Sequence, residues 1–165
     1  MGNRRQTTRV IPALLALVLA CAPVGARAQE ACDEGAIHLR GDWGQARFSI
    51  AVADDEEERA QGLMFVETLA TSAGMLFVYE SERPVRFWMK NTLIPLDMIF
   101  ADATGTVQRV HSRAEPGSER LIYGGDAIQY VLEINGGLAE QFGIAEGTLL
   151  RHPAIASEAA AWPCE

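Results

Sequence analysis

The sequence predicts a mainly β protein: a compact single domain of β-sandwich or barrel type, with one or two short helices. Three observations support this prediction. The chain has 165 residues, the length of one domain, and 48% of them are hydrophobic, enough for one core. Apolar segments of strand length recur along most of the chain. Turn-forming residues such as Gly, Asp, Asn and Ser separate these segments.

The first residues have the pattern of an export signal. Met1–Arg9 carries three arginines and no acid, and Val10–Val24 is almost wholly apolar. This pattern predicts a signal peptide over residues 1–28 and a polar leader over residues 29–36. We expect no stable transmembrane segment, because the apolar run is short and interrupted by prolines, whereas a spanning helix needs about 20 apolar residues.

Two other export routes remain as alternatives. Val18–Cys21 resembles a lipobox, in which Cys21 is acylated and held at a membrane, and Arg4-Arg5 is compatible with twin-arginine export. However, Leu19 is unusual in a lipobox, and Thr7 stands where a twin-arginine signal usually has an aromatic residue. We therefore expect ordinary secretion and a soluble protein in the periplasm or another extracytoplasmic envelope compartment.

A hairpin and a helix are predicted for the first part of the domain. Ala36–Leu39 and Ala46–Val52 are apolar enough to be two strands that join through Gly41–Gly44. Asp54-Asp55 then supplies an N-cap, and three glutamates follow in the first turn, where negative charge favours the helix dipole. Gly62 is placed to end this helix after about two turns.

The centre of the chain holds the strongest strand signals. Met75–Tyr79 is continuously apolar, which predicts a strand buried on both faces. After a polar loop at Glu80–Pro84, apolar and polar residues alternate over Val85–Lys90, as in a strand with one exposed face. Leu96–Phe100 alternates again, and the hairpin signal that follows leads to a strand over Thr106–Val110.

The last third of the chain combines a loop with shorter elements. Ser112–Gly125 shows no periodicity, so we expect a long surface loop or lid there. A strand is predicted over Ile128–Ile134, a short helix over Leu138–Phe142 and a last strand over Thr148–Arg151. The main β domain therefore covers residues 37–152, and residues 153–165 form a C-terminal tail.

Cys32 and Cys164 remain in the soluble chain after either cleavage. In an oxidising compartment an even pair of cysteines predicts a disulfide, which would join the two ends of the domain. The chain-entropy model values such a large loop at roughly 5 kcal/mol. The alternative is two free thiols on frayed ends.

The charge balance argues against nucleic acid as a partner. The whole chain carries −8, and removing Arg4, Arg5, Arg9 and Arg27 with no acid leaves −12. Nucleic acids and anionic lipids are bound by clusters of Lys and Arg, which this composition does not favour. We therefore expect an unknown small molecule or an envelope protein as the partner.

Several ordered segments have the pattern of a known family. They are Glu58–Met64, Gly74–Phe77, Phe87–Phe100, Val131–Gly137 and Gly143–Gly147. In these segments the chain resembles the family catalogued as domain of unknown function 192 (DUF192), and the resemblance extends over residues 37–152. It implies a compact β-sandwich-like domain with one or two short helices. It implies no particular catalytic or binding residues.

The main candidate site is a group of polar side chains within the most apolar part of the chain. Its members are Trp88, Lys90, Asn91, Thr92 and Asp97. A turn at Pro95 would bring Lys90 and Asp97 together. In one interpretation they line a ligand pocket over Trp88, with Lys90 facing an anionic or carbonyl group. In the other, Lys90 and Asp97 form a structural ion pair that fixes the turn.

Arg59 and Glu133 are secondary candidates. Arg59 lies at the end of the predicted helix, where it would cap carbonyl groups or reach Glu133. No nucleophile motif or phosphate-binding glycine loop occurs.

No cofactor or metal is expected. Four methionines carry thioether groups, the soft type of ligand that binds Cu(I). All four lie in periodic apolar segments, so we expect them to fill the core. The three histidines lack the short spacing of a zinc site. These residues are Met64, Met75, Met89, Met98, His38, His111 and His152.

Three hypotheses for function follow. The leading one is an envelope module that binds a small ligand or a partner protein around Trp88, Lys90, Asn91 and Asp97. The second is an enzyme of hydrolase or isomerase type that uses Lys90 and Asp97. The third is an envelope assembly or stabilising factor that acts through its outer surface.

Overall fold

Within the described residues, seven strands form one sheet. In chain order the elements are β1 (Ala36–Gly41), β2 (Gly44–Ala53), α1 (Glu56–Gln61), β3 (Ala73–Phe87), β4 (Leu96–Ala101), β5 (Val107–Ala114), β6 (Ile122–Asn135), α2 (Leu138–Phe142) and β7 (Leu149–Arg151). The strand order across the sheet is β5-β4-β6-β3-β2-β1-β7. The neighbours pair antiparallel except β2 and β3, which are parallel and joined through α1.

The computed structural model describes residues 2 and 32–164. The predicted signal peptide apart from residue 2, residues 29–31 of the polar leader and the alternative lipid site at Cys21 lie outside these residues. In the described part of the chain, no helix is long and apolar enough to cross a membrane.

The sheet curls until its two edge strands approach each other at one end. Thr106, just before β5, forms a bridge with Leu149 of β7. The Val107 N–H donates to the Thr148 carbonyl at 2.8 Å, and the Leu150 N–H donates to the Gly105 carbonyl at 2.8 Å. The result is a half-barrel, which confirms the prediction of a mainly β, barrel-like domain with two short helices.

The hairpin and the first helix form where the sequence predicts them. Ala36 pairs with Ser49 and Gly41 with Gly44, so the turn is formed by Asp42 and Trp43. Asp55 caps α1 by accepting a hydrogen bond from the Glu58 N–H at 2.8 Å. Local signals therefore fix both elements.

Two predicted loops are wrong. Glu80–Pro84 belongs to β3, which runs on to Phe87 because it pairs with β6 along most of its length, with register shifts between Val78 and Arg86. The predicted strand over Val85–Lys90 therefore ends at Phe87. The predicted lid is reduced to residues 115–121, because β5 extends to Ala114 and β6 begins at Ile122.

The predicted alternation in Leu96–Phe100 is also wrong. Every residue of β4 is buried, because β4 lies between β5 and β6 and both of its faces are covered. Ile99 packs into one apolar cluster, with Leu76 and Leu132 from the neighbouring strands. Met98 packs into a second cluster on the other face. The sheet thus has a core on each side.

The predicted disulfide joins the two ends of the domain. Cys32 and Cys164 are bonded, with their Cα atoms 5.7 Å apart. The nearby Trp162 is buried, and the guanidinium carbon of Arg40 on β1 lies 4.3 Å from its ring centroid. The C-terminal tail is therefore packed against the sheet as well as linked to it.

Candidate functional site

A cavity of about 210 Å³ lies between α1 and the adjoining faces of β3 and β6. It opens over the second apolar cluster. Its lining includes two of the main candidate residues, Trp88 and Thr92, and both secondary candidates, Arg59 and Glu133. The structure thus brings together four residues from three segments that are far apart in the sequence.

The end of α1 forms one wall of this cavity. Gly62 ends the helix with a φ of 49°, a conformation that favours glycine. A Cβ atom at this position would lie 3.1 Å from the Phe77 ring. Gly62 therefore allows the chain to turn and to pack closely on β3, so that Leu63 and Met64 line the cavity.

Glu133 is the only carboxylate in the lining of this cavity. It lies on β6, paired with Met75 on one side and Met98 on the other, and its side chain is 4% exposed. Within the described part of the chain, no hydrogen bond or ion pair involves its carboxyl group, and its oxygens are not among the fully buried polar atoms that lack a partner, so they reach the cavity. Burial raises the pKa of Glu133 to about 8, so the group is mainly protonated at neutral pH.

Arg59 caps backbone carbonyls beside the cavity. Its Nη1 donates to the carbonyl oxygens of Asp54 and Val78, the latter at 2.9 Å. Its guanidinium carbon lies 5.2 Å from the Tyr79 ring centroid. Arg59 and Glu133 form no ion pair. Arg59 thus binds α1 to β3 and brings a positive charge to the edge of the cavity.

Tyr79 lines the cavity together with Arg59 and Glu133. Burial raises the pKa of its hydroxyl above the usual range, although Arg59 and Arg83 oppose that shift. The hydroxyl therefore stays neutral at neutral pH and can donate or accept a hydrogen bond.

The segment after β3 forms another wall. Trp88 is 43% exposed, and the Lys90 Nζ atom lies 5.1 Å from its ring centroid. Thr92 is buried, and its N–H donates to the Met89 carbonyl at 3.0 Å, which closes a turn. Trp88 is therefore an aromatic surface that a bound molecule can contact.

Asn91 holds this turn against the segment after α1. It has a φ of 57°, a value that Asn tolerates better than most residues. Its carbonyl accepts a hydrogen bond from the Phe65 N–H at 2.9 Å, and its Nδ2 lies 3.8 Å from the Met64 Sδ. Asn91 thus positions the walls and lies outside the cavity lining.

Asp97 lies outside the lining of this cavity and has a structural role. It is fully buried and accepts hydrogen bonds from the N–H groups of Arg113 at 2.7 Å, Gly137 at 2.8 Å and Ala139 at 2.7 Å. Asp97 therefore caps α2 and fixes β5, while Lys90 lies over Trp88. The expected pairing of Lys90 with Asp97, whether functional or structural, is not found.

Sequence reasoning did not identify Met64, Tyr79 or Arg86 as part of the site. A signal for Glu133 was present, since it is one carboxylate in the apolar run Tyr130–Ile134. No local pattern shows that β3 and β6 pair and place Tyr79 near Glu133. The cavity depends on that long-range pairing.

Comparison with known proteins identifies a family and related folds. Residues 37–152 match the model of DUF192, described as an uncharacterized ACR. A search of curated proteins finds no match.

Two solved structures are similar to the chain. A protein of unknown function from Novosphingobium aromaticivorans is 36% identical, with a TM-score of 0.68, over 70% of this chain and 82% of that one. A protein from Sinorhizobium meliloti, described as a candidate transcription regulator, is 36% identical, with a TM-score of 0.69, over 74% of this chain and 95% of that one.

Proposed function

The chain belongs to the DUF192 family, and we propose that it is an envelope protein that binds one small organic molecule in the cavity at Glu133. The observation that carries this proposal is the carboxyl group of Glu133, which lines the cavity on a nearly buried residue and has no hydrogen-bond partner in the described chain. A carboxyl group in a mostly apolar cavity is stabilised by a hydrogen-bond partner that enters from the cavity side. A bound molecule with an oxygen or nitrogen atom would be that partner.

The rest of the cavity suits the same kind of molecule. Leu63, Met64 and Phe77 give apolar walls, while Trp88 gives an aromatic face near the opening. Small-molecule sites are typically concave and mostly apolar, with a few polar groups that orient the ligand. Glu133 and Tyr79 are such polar groups here.

An extracytoplasmic location, most simply the periplasm, belongs to the proposal. The Cys32–Cys164 disulfide supports it, because structural disulfides persist in oxidising compartments. The signal-peptide pattern of residues 1–28 agrees with this location. The description of the Sinorhizobium meliloti protein is not carried over, since a net charge of −8 does not favour DNA binding.

The enzyme hypothesis has less support. It relied on Lys90 and Asp97 as a reactive pair, yet both carboxylate oxygens of Asp97 are occupied by backbone N–H groups. A general base needs a free lone pair within hydrogen-bond reach of the substrate. Nothing in the geometry favours the assembly-factor hypothesis over ligand binding.

The test is to recover the protein from its own envelope, denature it and identify the released small molecules by mass spectrometry. Wild type should release one compound in an amount close to one per chain. Glu133→Met, which keeps the side-chain length and removes the carboxyl, should release far less. Glu146→Met, at an exposed glutamate, is the matched control and should release the wild-type amount. Equal release from Glu133→Met, or none from wild type, would overturn the proposal.

A further inference from the structure

A second, open cleft adjoins the cavity at Glu133. It has a volume of about 820 Å³ and shares Arg59, Tyr79 and Arg86 with the lining of the cavity. Arg83 also lines it. We call Arg59, Arg83 and Arg86 the arginine cleft. Because the two spaces share walls, one elongated molecule can occupy both.

The arginines of the cleft lack acidic partners within residues 32–164. The ion pairs described there are Arg47 with Asp33 and Arg113 with Glu140, which involve other arginines. Glu56 and Glu80 also line the cleft, but neither pairs with an arginine. The cleft therefore holds three arginines against two glutamates, a positive balance within a chain of net charge −8.

Aromatic rings hold these guanidinium groups in place. Arg59 and Arg83 both lie over Tyr79, at 5.2 and 5.5 Å from the ring centroid. Arg86 lies 5.5 Å from the ring centroid of Tyr123. Stacking on a ring leaves the N–H groups of a guanidinium free to bind a carboxylate or phosphate. Since Arg59 already donates to two carbonyls, the exposed Arg83 and Arg86 are the main donors available to a ligand.

We infer that the ligand is an organic anion whose carboxylate or phosphate binds in the arginine cleft while its apolar body extends toward Glu133. This inference rests on the proposed function and names the ligand class. Arginine recognises both anionic groups through paired hydrogen bonds. Because the cleft adjoins the cavity, its positive charge would select the ligand by the anionic end.

The experiment measures binding of three probes with the same six-carbon chain by isothermal titration calorimetry. Hexanoate and hexyl phosphate carry the anionic group, and hexanamide is the neutral control. We expect at least one anion to bind about tenfold or more tightly than hexanamide, and added salt to weaken that binding. The better anion shows whether the site prefers a carboxylate or a phosphate.

A double variant and a control variant test whether the anion binds at the cleft. The double variant Arg83→Gln, Arg86→Gln should lower the anion affinity about tenfold or more. Arg109→Gln, at an exposed arginine outside the cleft, should leave it unchanged. Arg59 is left intact because it joins α1 to β3.

Three results would overturn the inference: equal affinity for hexanamide, unchanged anion binding in the double variant, or no anion binding at millimolar concentration. The release experiment on the envelope-derived protein separates a failure of this inference from a failure of the proposed function. If the envelope-derived protein releases a neutral compound that depends on Glu133, the cavity still binds a ligand and only the inference fails. If it releases nothing, the proposed function fails.

Discussion

At the residue scale, Glu133 is the feature that separates this protein from a simple structural domain. A titratable side chain at 4% exposure stands between two core strands, and the described chain gives it no hydrogen bond. An apolar residue at this position would fill the core at less cost. The position of Glu133 in the cavity lining supports the proposal that a bound molecule enters the cavity.

The raised pKa of Glu133 predicts a pH dependence of stability. Between pH 4.5, the ordinary value, and about 8, the folded protein holds a proton that the unfolded chain releases. The free energy of unfolding of wild type should therefore fall as pH rises through this window, relative to Glu133→Gln, with a slope approaching about 1.4 kcal/mol per pH unit.

Urea denaturation of both proteins at several pH values checks this prediction. The pKa of His152 is lowered, chiefly by burial, but His152 is present in both proteins, so its effect cancels in the difference. A constant difference between wild type and Glu133→Gln across the window would show that Glu133 is not a buried acid.

At the element scale, α2 depends on a side chain from another element. Gly137 at its N-cap has no side chain to accept a hydrogen bond, and Asp97 of β4 supplies the acceptor for the first turn. The same carboxylate accepts a hydrogen bond from the Arg113 N–H. Arg113 has a φ of 52°, which marks an irregular point in β5. Asp97 therefore joins β4, β5 and α2.

Replacing Asp97 with Asn should destabilise the protein. An amide offers one oxygen where the carboxylate offers two, and its NH₂ group would face a backbone N–H donor. We expect a loss of about 3 kcal/mol in the free energy of unfolding, measured by denaturant titration. Asp126→Asn, at an exposed aspartate, is the control and should change stability by less than about 0.5 kcal/mol. A similarly small loss for Asp97→Asn would contradict the capping role.

The elements differ in how well the sequence predicts them. The β1–β2 hairpin and α1 were predicted because their turns and caps lie within a few residues of one another. The role of Asp97 was missed because two of its partners, Gly137 and Ala139, lie about forty residues further along the chain. The apparent loop at Glu80–Pro84 belongs to a strand because β3 pairs with β6 on both sides of it, at Val78 and again at Arg83, which no local signal shows.

At the scale of the whole molecule, the two ends of the domain are joined to the same side of the sheet. The disulfide closes a loop with a sequence separation of 132 residues, and Trp162 packs near it against β1. This arrangement was predictable from cysteine counting, since the predicted signal peptide contains Cys21 and leaves Cys32 and Cys164 as one possible pair.

Removing the disulfide should lower stability without changing the fold. For Cys32→Ser with Cys164→Ser we expect a loss of about 2–5 kcal/mol in the free energy of unfolding, because the unfolded chain gains freedom. Thermal unfolding followed by circular dichroism measures the loss, and the spectrum of the folded variant should match wild type. Equal stability of the two proteins would mean that packing alone holds the tail.

The cavity could be predicted only in part at this scale. Four of its lining residues were candidates from the sequence, namely Arg59, Trp88, Thr92 and Glu133. Their association was not predictable, because it requires the parallel β2–β3 crossover through α1 and the antiparallel pairing of β3 with β6. The arginine cleft arises from the same topology.

The most direct test of ligand binding at Glu133 is a crystal structure of the protein purified from its native host without a denaturing step. We expect electron density for one organic molecule in the cavity, with a polar atom within hydrogen-bond distance of the Glu133 carboxyl. A cavity that holds only water, or one closed by its own side chains with Glu133 hydrogen-bonded inside the protein, would contradict this expectation.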